Sequence, residues 1–310
     1  MKFDPTFRRL GAAVVTGLLI STAPTALFAE TPADTLVIAD AIDDIVSLDP
    51  AEAYEFSGLD LNNNTYDALV EIDPVTNELV PGLSDSWSVA DDGVTYTFHI
   101  RPGVTFSSGN PLRAEDAAFS LQRAIKLNKT PAFILGQFGW TPENVDQMVT
   151  VDGENLIIKT DKAYAPTFLY NCMTSGVASI VDRETVMANE ANGDMGYEYL
   201  KVNSAGTGAY VLKSYKPNEG YVLEARAGHW RGDAKLAKVF MQHVPEAATQ
   251  RLMLEKGDID ISRELTPTDI EGLQGNADVK VEQDVGGQIF YLSFNQKNEN
   301  FKNAKFLDAM

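Results

Sequence analysis

In 310 residues the sequence carries one cysteine, three histidines and only 25 Lys and Arg against 44 Asp and Glu. Each shortage excludes something. A lone Cys172 rules out an intramolecular disulfide framework and any multi-cysteine metal site. His99, His229 and His243 lie far apart, none with a partner at metal-ligand spacing. The scarcity of basic residues leaves a net charge of −19, which argues against nucleic acid or an anionic membrane surface as partner, since both need clustered Lys and Arg. Enzyme signatures are also missing: there is no G-x-S-x-G elbow, P-loop, G-x-G-x-x-G after a strand, or H-E-x-x-H. The acidic pairs Asp43-Asp44 and Asp91-Asp92 stand in turns and read as solvated rather than as acid/base pairs. Cys172 has no activating neighbour and reads as a buried structural thiol, and His99, in an alternating strand, reads as a surface or satisfied structural residue.

What is present is enough to build a core. Apolar residues make up 44% of the chain, with 3 Trp, 11 Tyr and 15 Phe, which argues against a disordered acidic tail; the length predicts about two domains. Residues 1–29 read as a secretory signal, with Lys2, Arg8 and Arg9 ahead of an uncharged apolar stretch from Leu10 to Phe28, and with cleavage near Ala29. Ser21, Thr22, Pro24 and Thr25 interrupt that stretch, so a membrane anchor is the poorer reading. Arg8-Arg9 matches a twin-arginine export signal only in part, and no cysteine stands at the cleavage point for lipidation. The segment is net +2, so its removal leaves the remainder near −21. At the other end, Ala304, Phe306, Leu307 and Met310 could line one helix face that stops without a cap, Gly or Pro, the pattern of a truncated reading frame or fragment.

Between these ends, short alternating segments joined by turns predict three hairpins. The first spans Trp87 to Ile100 and turns at Asp91-Asp92-Gly93, with Tyr96, Phe98 and Ile100 on one face and Thr95, Thr97 and His99 on the other. The others are Val149–Thr160, turning at Asp152-Gly153, and Tyr210–Ala225, turning through Pro217-Asn218-Glu219-Gly220. Helices are predicted over Glu115–Leu127, over about Glu246–Lys256 closed by Gly257, and after the cap Thr266-Pro267-Thr268-Asp269, with Asp258–Ile261 as a short strand. The mixture predicts α/β or α+β lobes.

One ordered pattern is more specific. Pro81-Gly82-Leu83-Ser84-Asp85-Ser86-Trp87, the run from Asp92 to Phe106, and Ser108-Gly109-Asn110-Pro111-Leu112-Arg113-Ala114-Glu115-Asp116 follow one another; Leu48-Asp49-Pro50, Gly206-Thr207-Gly208-Ala209-Tyr210, Trp230-Arg231-Gly232, Gly257-Asp258-Ile259-Asp260 and Tyr291 to Asn295 with Phe301 flank them in order. Together these blocks closely resemble the family-5 extracellular solute-binding proteins, the dipeptide- and oligopeptide-binding components of ABC importers, over nearly the whole chain after residue 29. Arg113 stands where the family usually has Thr, so the helix that follows leans on Glu115 and Asp116 for N-terminal charge; Ala209 replaces the usual Pro. Most of the blocks read as framework, with Trp87 and Phe98 in the core.

The resemblance implies an α/β fold, a periplasmic binding protein type II-like two-lobe fold with an extra inserted domain, the second lobe largely missing. Residues 30–70 and 200–268 would build the first lobe, 71–199 the insertion, and 275–310 the start of the second lobe. The implied function is an exported, periplasmic, monomeric and non-catalytic protein without cofactor, which closes two lobes on a peptide-like solute and delivers it to the transmembrane subunits of an ABC permease. An oligosaccharide, an opine-like conjugate or a metal chelate is the alternative cargo, and hand-over to a chemoreceptor the alternative role. By the same resemblance, ligand contacts would come from Tyr54, Glu55 and Phe56, pairing with an extended ligand as an added strand. Further contacts would come from Ser175, and from the segment carrying Ser262, where Arg263 would meet a ligand carboxylate and Glu264 an amine; a mutual or surface ion pair is the alternative for Arg263 and Glu264.

Overall fold

The structure is a computed structural model that describes residues 31–282, 293, 295 and 297–302. The expected signal segment and the expected helix over 303–310 lie outside the described residues, as does most of the block from Tyr291 to Asn295. The elements run β1 (Thr35–Asp40), α1 (Phe56–Thr65), β2 (Val70–Ile72), β3 (Leu79–Pro81), β4 (Ser84–Val89), β5 (Thr95–Ile100) and α2 (Ala114–Leu127). Then come α3 (Phe133–Gly136), α4 (Val145–Met148), β6 (Val149–Asp152), β7 (Asn155–Lys159), α5 (Pro166–Cys172), α6 (Arg183–Ala188) and α7 (Tyr197–Leu200). The chain continues through β8 (Tyr210–Lys216), β9 (Gly220–Ala225), β10 (Lys238–His243), α8 (Ala247–Lys256), β11 (Ile261–Ser262) and α9 (Pro267–Leu273).

Two sheets organise these elements. The first has the order β11-β1-β10-β9-β8, drawing its strands from both ends of the described chain. Here β1 runs parallel to both β10 and β11, while β8, β9 and β10 are antiparallel neighbours. Ile38, Tyr221, Leu223 and Met241 on this sheet pack with Leu48 and with Leu61 of α1. The second sheet, β4-β5-β7-β6, is wholly antiparallel and comes from the intervening chain, with β2 and β3 as a separate pair. Its core joins Tyr96, Phe98 and Ile100 to Ala117, Leu121, Ala124 and Ile125 of α2. A small third cluster holds Tyr66, Val181, Val186, Leu200 and Ala205.

The three expected hairpins form as β4–β5, β6–β7 and β8–β9. In the first, Trp87 faces Phe98 across the pair, and the Asp92 carboxylate closes the turn by accepting from the Val94 and Thr95 amides, both at 2.9 Å. Tyr96, Phe98 and Ile100 are buried and Thr95, Thr97 and His99 half-buried, so the alternation is real. Trp87 is only half-buried, with its ring 5.9 Å from that of Tyr170 at the edge of the core. Helix α2 starts without a hydroxyl cap; instead the Asp116 carboxylate accepts from the Arg113 amide at 2.9 Å. Gly257 closes α8 in the left-handed region (φ 75), and Thr266 caps α9 by accepting from the Asp269 amide at 3.2 Å.

Three expectations are corrected. The strand predicted over Asp258–Ile261 pairs only at Ile261–Ser262: Ile259 turns into the interior, 2% exposed, and the Asp260 carboxylate takes the Val37 amide at 2.7 Å in place of a ladder bond. Cys172 is half-buried rather than buried, and its sulfur accepts from Gln137 Nε2 at 3.3 Å. Finally, the segment of Tyr54, Glu55 and Phe56 is not an extended edge: Glu55 is extended (φ −82, ψ 151), but the helix begins at Phe56.

Candidate functional site at the carboxyl ends of the parallel strands

Parallel strands collect loops at their carboxyl ends, where open α/β sheets place ligands. Here β1 ends at Asp40, β11 at Ser262, and the N-terminus of α1 arrives beside them. The result is a cleft of about 420 Å³ lined by Asp40, Asp43, Asp44, Phe56, Asp60, Arg263 and their neighbours Ala41, Ser57 and Glu264.

Each wall is held by a polar side chain from another part of the chain. The loop after β1 is fixed by His243 at the end of β10, whose Nδ1 accepts from the Ile42 amide at 3.1 Å. Gln250 of α8 is completely buried; its Oε1 accepts from Ser262 Oγ at 2.7 Å and its Nε2 donates to the Val244 carbonyl at 2.6 Å, which fixes the chain just before Arg263. The start of α1 is capped from outside the helix, the Asp44 carboxylate accepting from the Ser57 amide at 3.3 Å.

The electrostatics are one-sided. Arg263 Nη1 lies 2.9 Å from Asp60 Oδ2 and 3.8 Å from Asp40 Oδ2. Burial opposes its charge, but Asp60, with help from Asp40 and Tyr221, outweighs that and holds the guanidinium above its usual range. Burial pushes the Asp40 carboxyl up, against the pull of the Ala41 amide and of Arg263.

Of the residues singled out in the sequence, Phe56, Arg263 and Glu264 share this cleft. Tyr54 and Glu55 precede Phe56 on the approach to α1, with the Tyr54 ring edge-on to Phe133 at a centroid separation of 6.0 Å. Ser175 is elsewhere: its hydroxyl donates to the Cys172 carbonyl at 2.6 Å and closes the end of α5. Its neighbours Thr174 and Gly176 line a separate cavity of about 340 Å³ with Asn63, Asp67 and Arg231. Sequence reasoning missed Asp40, Asp60 and Phe133. Asp43 and Asp44 were visible but read only as a solvated turn; both are exposed, and both face the cleft.

Outside the cleft, the Leu48-Asp49-Pro50 block has a clear purpose. Asp49 is fully buried and takes both arms of Arg123 from α2, with Nη1–Oδ1 at 2.8 Å and Nη2–Oδ2 at 2.5 Å. A larger cavity of about 580 Å³ between α2 and α6 mixes Arg113 and Arg183 with Glu115, Asp116, Asp182 and Glu184, and these opposed charges define no single ligand chemistry. Among the described residues no cluster of His, Cys, Asp and Glu is arranged to hold a metal ion, and no helix is long and apolar enough to cross a membrane.

A mixed sheet built from two distant parts of the chain, a long insertion with its own antiparallel sheet, and a cleft at the carboxyl ends of the parallel strands define an α/β lobe of the periplasmic-binding-protein type. The chain belongs to the bacterial extracellular solute-binding proteins, family 5, whose middle-region profile matches residues 78–310. It is 28% identical over 264 residues to heme-binding protein A of Haemophilus influenzae, covering 80% of this chain and 47% of that protein. It is 27% identical over 287 residues to the probable D,D-dipeptide-binding periplasmic protein of Escherichia coli, covering 91% and 53%. Among solved structures, the periplasmic binding protein DppA of Helicobacter pylori, in complex with the peptide STSA, superposes with a TM-score of 0.66 at 25% identity, over 77% of this chain and 48% of that one. The chain spans about half the length of the curated relatives it matches.

Proposed function

We propose that this chain is the ligand-capturing component of an ABC importer, exported to the periplasm as a monomer, without catalytic activity, and that it takes a peptide-like solute to the permease. The observation that carries the reading is the cleft where β1, β11 and the start of α1 converge in a chain of this family. Relatives whose names specify dipeptides, and a neighbouring structure with a bound peptide, support a peptide-like cargo. In this reading residues 30–70 and 200–268 form the first lobe, 71–199 the insertion, and the chain from about 275 opens the second lobe. Phe56, Arg263 and Glu264 line the ligand side of the first lobe, with Tyr54 and Glu55 at its rim, while Ser175 supports the neighbouring turn. Contacts from both lobes would make the ligand prefer the closed state, which is what drives closure.

Native mass spectrometry of the protein purified from the periplasm tests the proposal. An adduct with the mass of a short peptide supports it; a sugar-, heme- or chelate-sized adduct overturns the cargo assignment.

A further inference from the structure

We infer that the cargo presents a cationic group beside an apolar or aromatic one to this lobe; the inference rests on the binding-protein reading above and narrows its substrate class. The first observation is charge. Five carboxylates, those of Asp40, Asp43, Asp44, Asp60 and Glu264, line the cleft against the single guanidinium of Arg263. That guanidinium is already shared through Nη1 with Asp60 at 2.9 Å and Asp40 at 3.8 Å, so a ligand carboxylate would have to compete with two carboxylates for it. Asp43 and Asp44 remain exposed on the open side. A cation entering here replaces water around carboxylates whose mutual repulsion Arg263 relieves only in part; an anion adds to that repulsion.

The second observation is independent of charge. Phe56, Tyr54 and Phe133 are 73%, 47% and 61% exposed. Tyr54 and Phe133 come from different parts of the chain, yet their rings meet edge-on, 6.0 Å apart at 84°, so this ledge is assembled by the fold rather than by one loop. Grouped exposed aromatics mark contact surfaces, and their faces attract cations as well as apolar groups. Phe56 lines the acidic cleft itself and stands two residues from Tyr54, which brings the ledge to the edge of the acid wall. Charge decides between occupants: a second copy of this chain, at net −19, would bring like charge to the acid wall, whereas a cationic peptide with an apolar side chain complements both halves.

The test is an NMR titration of the isotope-labelled 310-residue chain with three end-capped tripeptides, Lys-Phe-Lys, Lys-Ala-Lys and Glu-Phe-Glu. Lys-Phe-Lys should bind about tenfold or more tighter than Glu-Phe-Glu, with Lys-Ala-Lys between them, and the preference should shrink severalfold as salt rises to about 0.5 M. The shifted amides should fall at 40–44, 54–60, 133 and 263–264. The double variant Asp43→Asn/Asp44→Asn should lower the charge preference, and Phe133→Ser should bring Lys-Phe-Lys down toward Lys-Ala-Lys. Equal affinities for Lys-Phe-Lys and Glu-Phe-Glu, or a charge preference untouched by the Asp43/Asp44 change, would overturn the inference and leave the binding-protein reading standing. Absence of millimolar binding by all three peptides would overturn the peptide reading with it.

Discussion

Replacing Asp49 by alanine should unfold the chain at markedly lower denaturant, and the structure sets the size of the loss. The Asp49 side chain is 0% and that of Arg123 2% exposed, so water screens neither charge. The pair is bidentate, at 2.8 and 2.5 Å; Arg123 Nε also donates to the Met195 carbonyl at 2.7 Å, and Asp49 Oδ1 also accepts from the Ala51 amide at 2.9 Å. Alanine at 49 leaves a buried guanidinium with the Met195 carbonyl and without its bidentate counter-charge. Breaking a buried pair from one side costs about 3–5 kcal/mol, a large part of the roughly 5–15 kcal/mol that holds a typical domain folded. Arg123→Met should cost a similar amount, because it strands the carboxylate. Asp49→Leu with Arg123→Met removes both charges and should cost no more than about 1–2 kcal/mol, far short of the roughly 6–10 kcal/mol that the two single losses would give by simple addition. Urea unfolding followed by far-UV circular dichroism reads all of these variants. If each single variant stays within about 0.5 kcal/mol of the parent, or if the losses simply add, the reasoning is refuted. The turn that Asp49 anchors, with the Ala53 amide on the Asp49 carbonyl at 2.7 Å, leads directly to Tyr54 and Phe56. The single variants should therefore also blunt ligand-induced shifts at 54–60.

Gly206→Ala should lower the thermal midpoint by an amount matching about 2–3 kcal/mol, since a Cβ there would sit 2.2 Å from the Thr65 carbonyl oxygen and 2.5 Å from the ring of the buried Tyr66; an unchanged midpoint would show that the α1 terminus yields. His99 should titrate above the ordinary histidine range, because its Nδ1 hydrogen bond to Asp85 at 2.8 Å and the nearby Glu154 favour the charged ring. With the folded pKa raised, its stabilisation is complete below the unfolded value and disappears as pH rises through the folded one. The urea midpoint should accordingly carry a downward component across that window that His99→Gln abolishes, and an NMR titration midpoint at or below about 6.5 would contradict the assignment.

The hairpins were legible because alternation and turn residues are local: Tyr96, Phe98 and Ile100 announce a buried face whatever the rest of the chain does. Helix α2 was legible for the same reason at a different period. Helix α1 was not, since Ser57, Gly58 and Asn62-Asn63-Asn64 are poor helix formers, and its cap, Asp44, stands 13 residues before Ser57 in the chain. Helices α3, α4, α6 and α7, with four to six residues each, are too short to show a period. The site was half legible. Arg263 and Glu264 could be placed by the blocks around them, but that Asp60 already holds Arg263 depends on a pairing across 203 positions. Ser175 was placed by neighbouring blocks alone, and no local signal showed that its hydroxyl donates to the Cys172 carbonyl at a helix end.

Those long-range pairings also bear on how such a cleft would bind. Gln250 carries no exposed surface and ties Ser262 Oγ to the Val244 carbonyl; His243 ties the loop after β1 to the end of β10; Arg263 ties Asp60 to the end of β1. Two of these segments are therefore set by side chains of β10 and α8, and the third by the Arg263–Asp60 pair, rather than by contact with a ligand. A wall built in this way keeps its geometry without cargo, so binding spends little free energy on ordering it. The conformational cost of capture then falls on whatever closes over the wall. In the proposed reading, the acid wall and aromatic ledge would act as a fixed template that selects the cargo before closure.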